Sequence, residues 1–194
     1  MNIVFATNNL HKVSEIQHQL DKKINLLTLK DINFAEELPE TTGTIKGNAI
    51  QKAQFLFDKT QLDCFADDSG LEIEALGNKP GVDSAHYAGA QRSHADNIAK
   101  VLAEMLNFDN RKAVFKTVFA LCLKGKMHVF EGKIHGEITK NVHGTDGFGY
   151  DPIFRPVGYK ETFAEMSFDL KVQISHRAKA LQQLNSWLIK NILE

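Results

Sequence analysis

The chain has 194 residues, 43% of them hydrophobic and 24% charged, with 13 Gly and 4 Pro. That balance excludes disordered, collagen-like and coiled-coil chains, and the length suits one domain, or two small lobes, with a sizeable buried core. The net charge of -1, from 23 basic and 24 acidic residues, gives no broad positive field to hold a nucleic-acid backbone, so any phosphate chemistry needs a local pocket.

The chain opens on the apolar run Ile3-Val4-Phe5-Ala6, a buried strand by pattern. The polar loop Thr7 to Lys12 follows, then a helix with Val13, Ile16 and Leu20 on one face. A second strand is expected over 24–29, a loop over 38–43, and a helix over 44–59. Cys64-Phe65-Ala66 leads into Asp67-Asp68-Ser69-Gly70, and Leu71-Glu72-Ile73 resumes the strand. Turn residues dominate 77–89 and predict an irregular excursion. A helix over 96–106 precedes two β-rich segments, 113–123 and 127–138, with Lys124-Gly125-Lys126 as the turn between them. Ile174, Ala178, Leu181, Leu184, Leu188 and Ile192 recur at steps of three and four, which predicts one final helix. Helices and strands alternate throughout, so the fold class is α/β with a mixed sheet, read as a single domain over 1–194. No run approaches the ~20 apolar residues of a membrane helix, and the first residues lack a basic leader. The expectation is a cytosolic protein with no membrane or nucleic-acid partner. Cys64 and Cys122 lie in apolar segments and are expected to be reduced core residues.

Four places carry possible chemistry. Thr7-Asn8-Asn9-Leu10-His11-Lys12 joins a strand to a helix start, where unpaired N–H groups attract phosphate; it is also a plain turn, and lacks the glycines of a Walker loop. Asp67 and Asp68 are successive acids on a strand, so their side chains point to opposite sides and repel unless cations or donors absorb the charge. The competing reading is a solvated turn, and Glu40 is a further acid in a Pro-flanked loop. Phe148, Gly149, Tyr150 and Asp151 combine close backbone approach with flat rings. Ser175-His176-Arg177 opens a helix with His beside Arg at its positive end, where cations are disfavoured, a conflict that an anion or an electron-rich carbonyl would relieve; the competing reading is a surface helix start capped by Ser175. Lys171 lies one turn upstream.

Taken in order, Thr7-Asn8-Asn9-x-x-Lys12, Leu38-Pro39-Glu40-x-x-Gly43, Asn48-Ala49-x-x-Lys52-Ala53, Ala66-Asp67-Asp68-Ser69-Gly70-Leu71, Pro80-Gly81-Val82, Phe148-Gly149-Tyr150-Asp151-Pro152 and Ile174-Ser175-His176-Arg177 resemble the inosine/xanthosine triphosphate pyrophosphatases, which remove deaminated purine nucleotides. The resemblance covers nearly the whole chain. It implies a long central mixed β-sheet flanked by helices, two lobes with the active cleft between them, and a homodimer. It also implies roles. Thr7, Asn8, Asn9, Leu10, His11 and Lys12 would hold the triphosphate, with Lys52 assisting. Glu40 and Asp68 would bind Mg²⁺, and Asp68 would accept the proton of the attacking water. Ser69 would touch substrate, Phe148, Gly149, Tyr150 and Asp151 would frame the base, and Lys171, His176 and Arg177 would reach its oxo edge.

One position departs from the family pattern. Ser84-Ala85-His86-Tyr87 carries histidine where relatives often carry arginine. His86 takes no catalytic role in this reading, the remaining histidines are expected on the surface or in the core, and Trp187 is expected to pack. The implied reaction cleaves between the α- and β-phosphates, giving a monophosphate and pyrophosphate. Two rivals share the phosphate loop: a pyrophosphatase for pyrimidine or other modified nucleotides, and a non-catalytic nucleotide sensor. The second is disfavoured by the intact Glu40, Asp67 and Asp68.

Overall fold

In the computed structural model, which describes residues 1–193, Ile3, Val4 and Phe5 are all but fully buried, as their unbroken apolar run predicts. They lie in β1 (Asn2–Phe5), which pairs in parallel with β2 (Asn25–Thr28) and with the first residues of β3 (Cys64–Ile73). β5 (Lys112–Leu123) and β6 (Lys126–Ile138) extend the sheet, β4 (Lys79–Gly81) pairs antiparallel on β3, and β7 (Phe154–Pro156) pairs antiparallel on β6. The order is β2-β1-β3-β5-β6-β7 with β4 beside β3. This is the mixed α/β sheet that the alternation of elements predicts. Helices α1 (Leu10–Gln19), α2 (Ile45–Thr60), α3 (His94–Glu104), α4 (Phe168–Ile174) and α5 (His176–Leu188) complete it.

The chain divides into two compact units. One holds residues 1–68, 117–132 and the chain from Arg177 onward; the other holds 69–116 and 133–176. The first is built on Ile3, Phe5, Ile16, Phe65, Phe119, Leu181, Leu184 and Leu188, with the Phe5 and Phe65 rings stacked at 4.6 Å. The second is built on Leu71, Ile73, Val101, Met105, Phe115, Ile138, Phe154 and Phe163. Each such side chain contributes roughly 1.5–3 kcal/mol when it leaves water. Trp187 packs beside Phe130 in the first unit. The division passes through β3 between Asp68 and Ser69, and through the head of α5 between His176 and Arg177.

Capping explains where the helices depart from the expected bounds. The Thr44 hydroxyl accepts the Gly47 N–H at 3.0 Å, which leaves Thr44 extended and starts α2 one residue later. Ser93 caps α3 through the Asp96 N–H, so that helix begins at His94 rather than 96 and ends at Glu104 rather than 106. The final helix is not continuous back to Ile174. Ile174 closes α4, a separate helix capped by Ser167, and Ser175 is extended at ψ 162° before α5 begins. The three- and four-residue spacing runs through this break because both helices bury an apolar face. Ile192, the last residue of the expected stripe, is exposed in a π-helical turn over Ile189–Leu193. Within the expected irregular stretch the structure finds β4 and a 3₁₀ turn, Ser84–His86, and a second 3₁₀ turn, Glu74–Leu76, directly precedes it. Lys124 and Gly125 both take positive φ, 48° and 76°, and turn β5 into β6. No helix among the described residues is long and apolar enough to cross a membrane.

Candidate active site

The loop after β1 is organised by Asn9. Its side-chain oxygen accepts the His11 and Lys12 N–H groups at 3.0 and 3.2 Å, and the Asn9 N–H donates to Thr7 Oγ1 at 3.2 Å. Thr7 and Asn9 are half-buried, while Asn8, Leu10 and His11 are exposed. This cap aims Lys12 at β3, where its ammonium meets both carboxylate oxygens of Asp67 at 2.9 and 3.0 Å. Arg177, at the head of α5, joins the same cluster: its Nη1 donates to Glu15 Oε2 at 2.5 Å and its Nε lies 3.6 Å from Asp67. Burial alone would push the Asp67 carboxyl up, but Lys12, Arg177 and Lys52 together hold it well below the usual carboxylate range. Burial lowers the Lys12 ammonium, with Asp67 opposing the shift.

The two successive acids meet different cations at short range. Asp67 goes to Lys12, whereas Asp68 lies 4.0 Å from Lys52, whose ammonium also meets Glu40 Oε1 at 2.5 Å. Asn48, on the same helix as Lys52, accepts the Thr42 N–H and hydroxyl and so fixes the loop that carries Glu40. Burial raises the Asp68 carboxyl to about 6, with Lys52 and Lys12 pulling against it and Glu40 reinforcing it. No group of three or more His, Cys, Asp or Glu among the described residues is arranged to hold a metal. Glu40 and Asp68 nonetheless form an all-oxygen pair, and Mg²⁺ characteristically takes one or two carboxylates and leaves its other positions to water and phosphate. The donor set fits that ion.

The second unit carries its own polar group. Lys171 and Asp151, 5% and 3% exposed, pair at 2.7 Å, and Asp151 also accepts the Phe148 N–H at 2.8 Å. The Lys171 ammonium sits 4.7 Å from the Phe148 ring centre. The buried His176 ring stacks on Phe115, 4.6 Å apart and within 8° of parallel, which fixes the plane of its nitrogens. Of the predicted base-framing residues, Tyr150 is different in kind: it is buried, its hydroxyl donates to the Ser84 carbonyl at 2.8 Å, and it belongs to the core. Ser69 follows Asp68 on β3, half-buried, as the first residue of this unit. His86 is exposed beside Asp83 at 3.3 Å.

Three residues were invisible to sequence reasoning. Glu15 sits one position from Ile16 on the buried side of α1 and had only its charge to mark it. Phe115 reads as an ordinary strand residue. His94 is exposed, as expected of histidines away from the last helix, but it also accepts the Gly149 N–H at 3.2 Å through Nδ1.

Residues 3–187 match the Ham1 family. The chain is 52% identical over 184 residues to a dITP/XTP pyrophosphatase of Flavobacterium johnsoniae, covering 95% of this chain and 96% of the relative. It is 47% identical over 188 residues to one of Porphyromonas gingivalis, covering 96% and 97%. Among solved structures it superposes on a HAM1 protein from Coxiella burnetii with a TM-score of 0.91 at 37% identity, covering 98% of this chain and 99% of that one. The Staphylococcus aureus Ham1 protein gives 0.90 at 34%, with the same coverage.

Proposed function

The chain belongs to the Ham1 family, and from that premise we propose that it hydrolyses deaminated purine nucleoside triphosphates (ITP, dITP and XTP) to the monophosphate and pyrophosphate. The observation that carries the reading is the arrangement in the first unit. Lys12 and Lys52 are each held by a carboxylate, and the Asn9-capped loop presents the start of α1 beside them. A triphosphate brings several negative charges, and cations already desolvated and oriented by the fold meet it without reorganisation.

In this proposal Lys12, the loop Thr7 to His11 and Lys52 bind the phosphates. Asp68 accepts the proton of the attacking water, a task suited to a carboxylate raised by burial. Glu40 and Asp68 would hold Mg²⁺, which when bound supplies charge neutralisation on the phosphoryl oxygens and a lower pKa for coordinated water. Asp67 and Glu15 hold Lys12 and Arg177 in place. In the second unit Phe148 offers a flat face, and the Lys171 ammonium and the His176 ring are donors suited to a 6-oxo group. An adenine amino group would turn its hydrogens toward those donors, which is the physical basis for excluding ATP. Guanine shares the 6-oxo group, so its rejection requires a contact at the 2-position. Cytosolic location and a homodimer complete the proposal, supported by two buried free thiols and by the family resemblance respectively.

The test is pyrophosphate release from ITP, XTP, dITP, ATP and GTP side by side, with and without Mg²⁺. The reading expects Mg²⁺-dependent release with the deaminated nucleotides far ahead of ATP. Equal rates on ITP and ATP, or orthophosphate as the first product, would refute it.

A further inference from the structure

The segment Gly147-Phe148-Gly149 has both glycines in the left-handed region, at φ +78° and +62°. Such a backbone has much freedom to lose, so whatever restrains it determines how well the Phe148 face is formed before a ligand arrives. A side chain at Gly147 would approach Asp151 Oδ2 to 2.2 Å, so that position keeps the segment tight against Asp151. Two further restraints come from residues already placed in the site: the Phe148 N–H on Asp151 and the Lys171 ammonium over the ring.

One more restraint comes from a helix with no assigned part in the reaction. The Gly149 N–H donates to Nδ1 of His94, the first residue of α3, and the His94 ring lies 6.4 Å from that of Phe148. The helix start is fixed by its Ser93 cap. It is anchored one turn later by the buried Asn97, which accepts the Ala88 N–H at 2.7 Å and donates to the carbonyls of Ser84 and Ala85. Tyr150, the residue after Gly149, donates to that same Ser84 carbonyl. His94 is therefore mounted on the support that also carries the far end of the segment. Because Nδ1 accepts, neutral His94 carries its proton on Nε2.

We propose that His94 is a positioning residue for nucleobase recognition. It clamps the Gly149 N–H from α3 so that Phe148 presents a pre-formed face to the base, a role separate from phosphate binding. This rests on the pyrophosphatase reading above. His94→Ala removes the acceptor from an exposed side chain with little cost to folding. His94→Asn puts an amide oxygen close to where Nδ1 stood, and His94→Gln puts it one bond farther out.

The experiment measures steady-state kinetics of the three variants on ITP and dITP, inhibition by inorganic tripolyphosphate as a base-free probe, and Tm. His94→Ala is expected to raise KM about 3- to 10-fold, the effect of one partly exposed hydrogen bond, with kcat within about 2-fold. Tripolyphosphate inhibition and Tm stay as in wild type, His94→Asn recovers most of the KM, and His94→Gln does not. An unchanged KM in His94→Ala, equal weakening of tripolyphosphate, or equal impairment in Ala and Asn overturns the proposal. Wild-type protein that releases no pyrophosphate from ITP overturns the underlying reading, and this inference with it, and is told apart by the wild-type assay alone.

Discussion

Replacing Lys12 with methionine keeps the length of the side chain and removes the charge that faces Asp67. The Asp67 side chain has no exposed surface, and both its oxygens lie within 3.0 Å of the Lys12 ammonium. Breaking a buried pair by removing one partner typically costs about 3–5 kcal/mol, because the remaining charge stays desolvated. Arg177 Nε, 3.6 Å away, keeps part of the compensation, so the lower end applies, about 3 kcal/mol. For a chain of this size that corresponds to a fall in Tm of about 6–12 °C. The double variant Lys12→Met/Asp67→Asn removes both charges and should recover at least half of that loss, since absent charges carry no desolvation penalty. Urea denaturation of the wild type, both single variants and the double variant gives the coupling directly. A Lys12→Met variant within 2 °C of wild type, or a double variant whose loss equals the sum of the singles, would show that the buried pair is not what holds this cluster.

Asp68→Asn should lower kcat/KM for ITP by ~10²–10⁴, the range for losing a positioned base, while Tm stays level or rises because a charge disfavoured by burial has gone; near-normal turnover would remove Asp68 from the mechanism. The Cys64 thiol, pushed up to about 12 by burial, and the buried Cys122 should both resist a thiol reagent at pH 8 in the folded protein and react once it is unfolded in urea; rapid native labelling would contradict their placement. Asp31 accepts the Thr28 N–H and hydroxyl at 2.8 and 2.7 Å, which lowers its carboxyl. Its contribution is therefore present above the unfolded value and lost as pH falls through the folded one. Asp31→Ala should narrow the stability gap between pH 6 and pH 3, and an identical acid limb in wild type and variant would count against that turn.

Features that depend on neighbours along the chain were legible in the residues alone. The β1 strand, the polar loop from Thr7 to Lys12, the α2 helix and the Lys124-Gly125 turn follow from apolar runs, helical spacing and turn residues. The ordered motifs identified the family for the same reason, since each is a short local pattern. What the sequence could not decide is which distant group each of these residues meets. Arg177 and Glu15 are 162 positions apart, and nothing in either segment says that the guanidinium of one closes on the carboxylate of the other. Phe115 gives no hint that it will carry the His176 ring, nor does His94 that it will hold the Gly149 N–H. Even the break at Ser175 escaped, because an apolar stripe reports burial, and two consecutive helices with buried faces write the same stripe as one. Hydrogen bonding and charge pairing over such separations are set by how strands and helices pack, so only the tertiary structure fixes which cation satisfies which buried carboxylate.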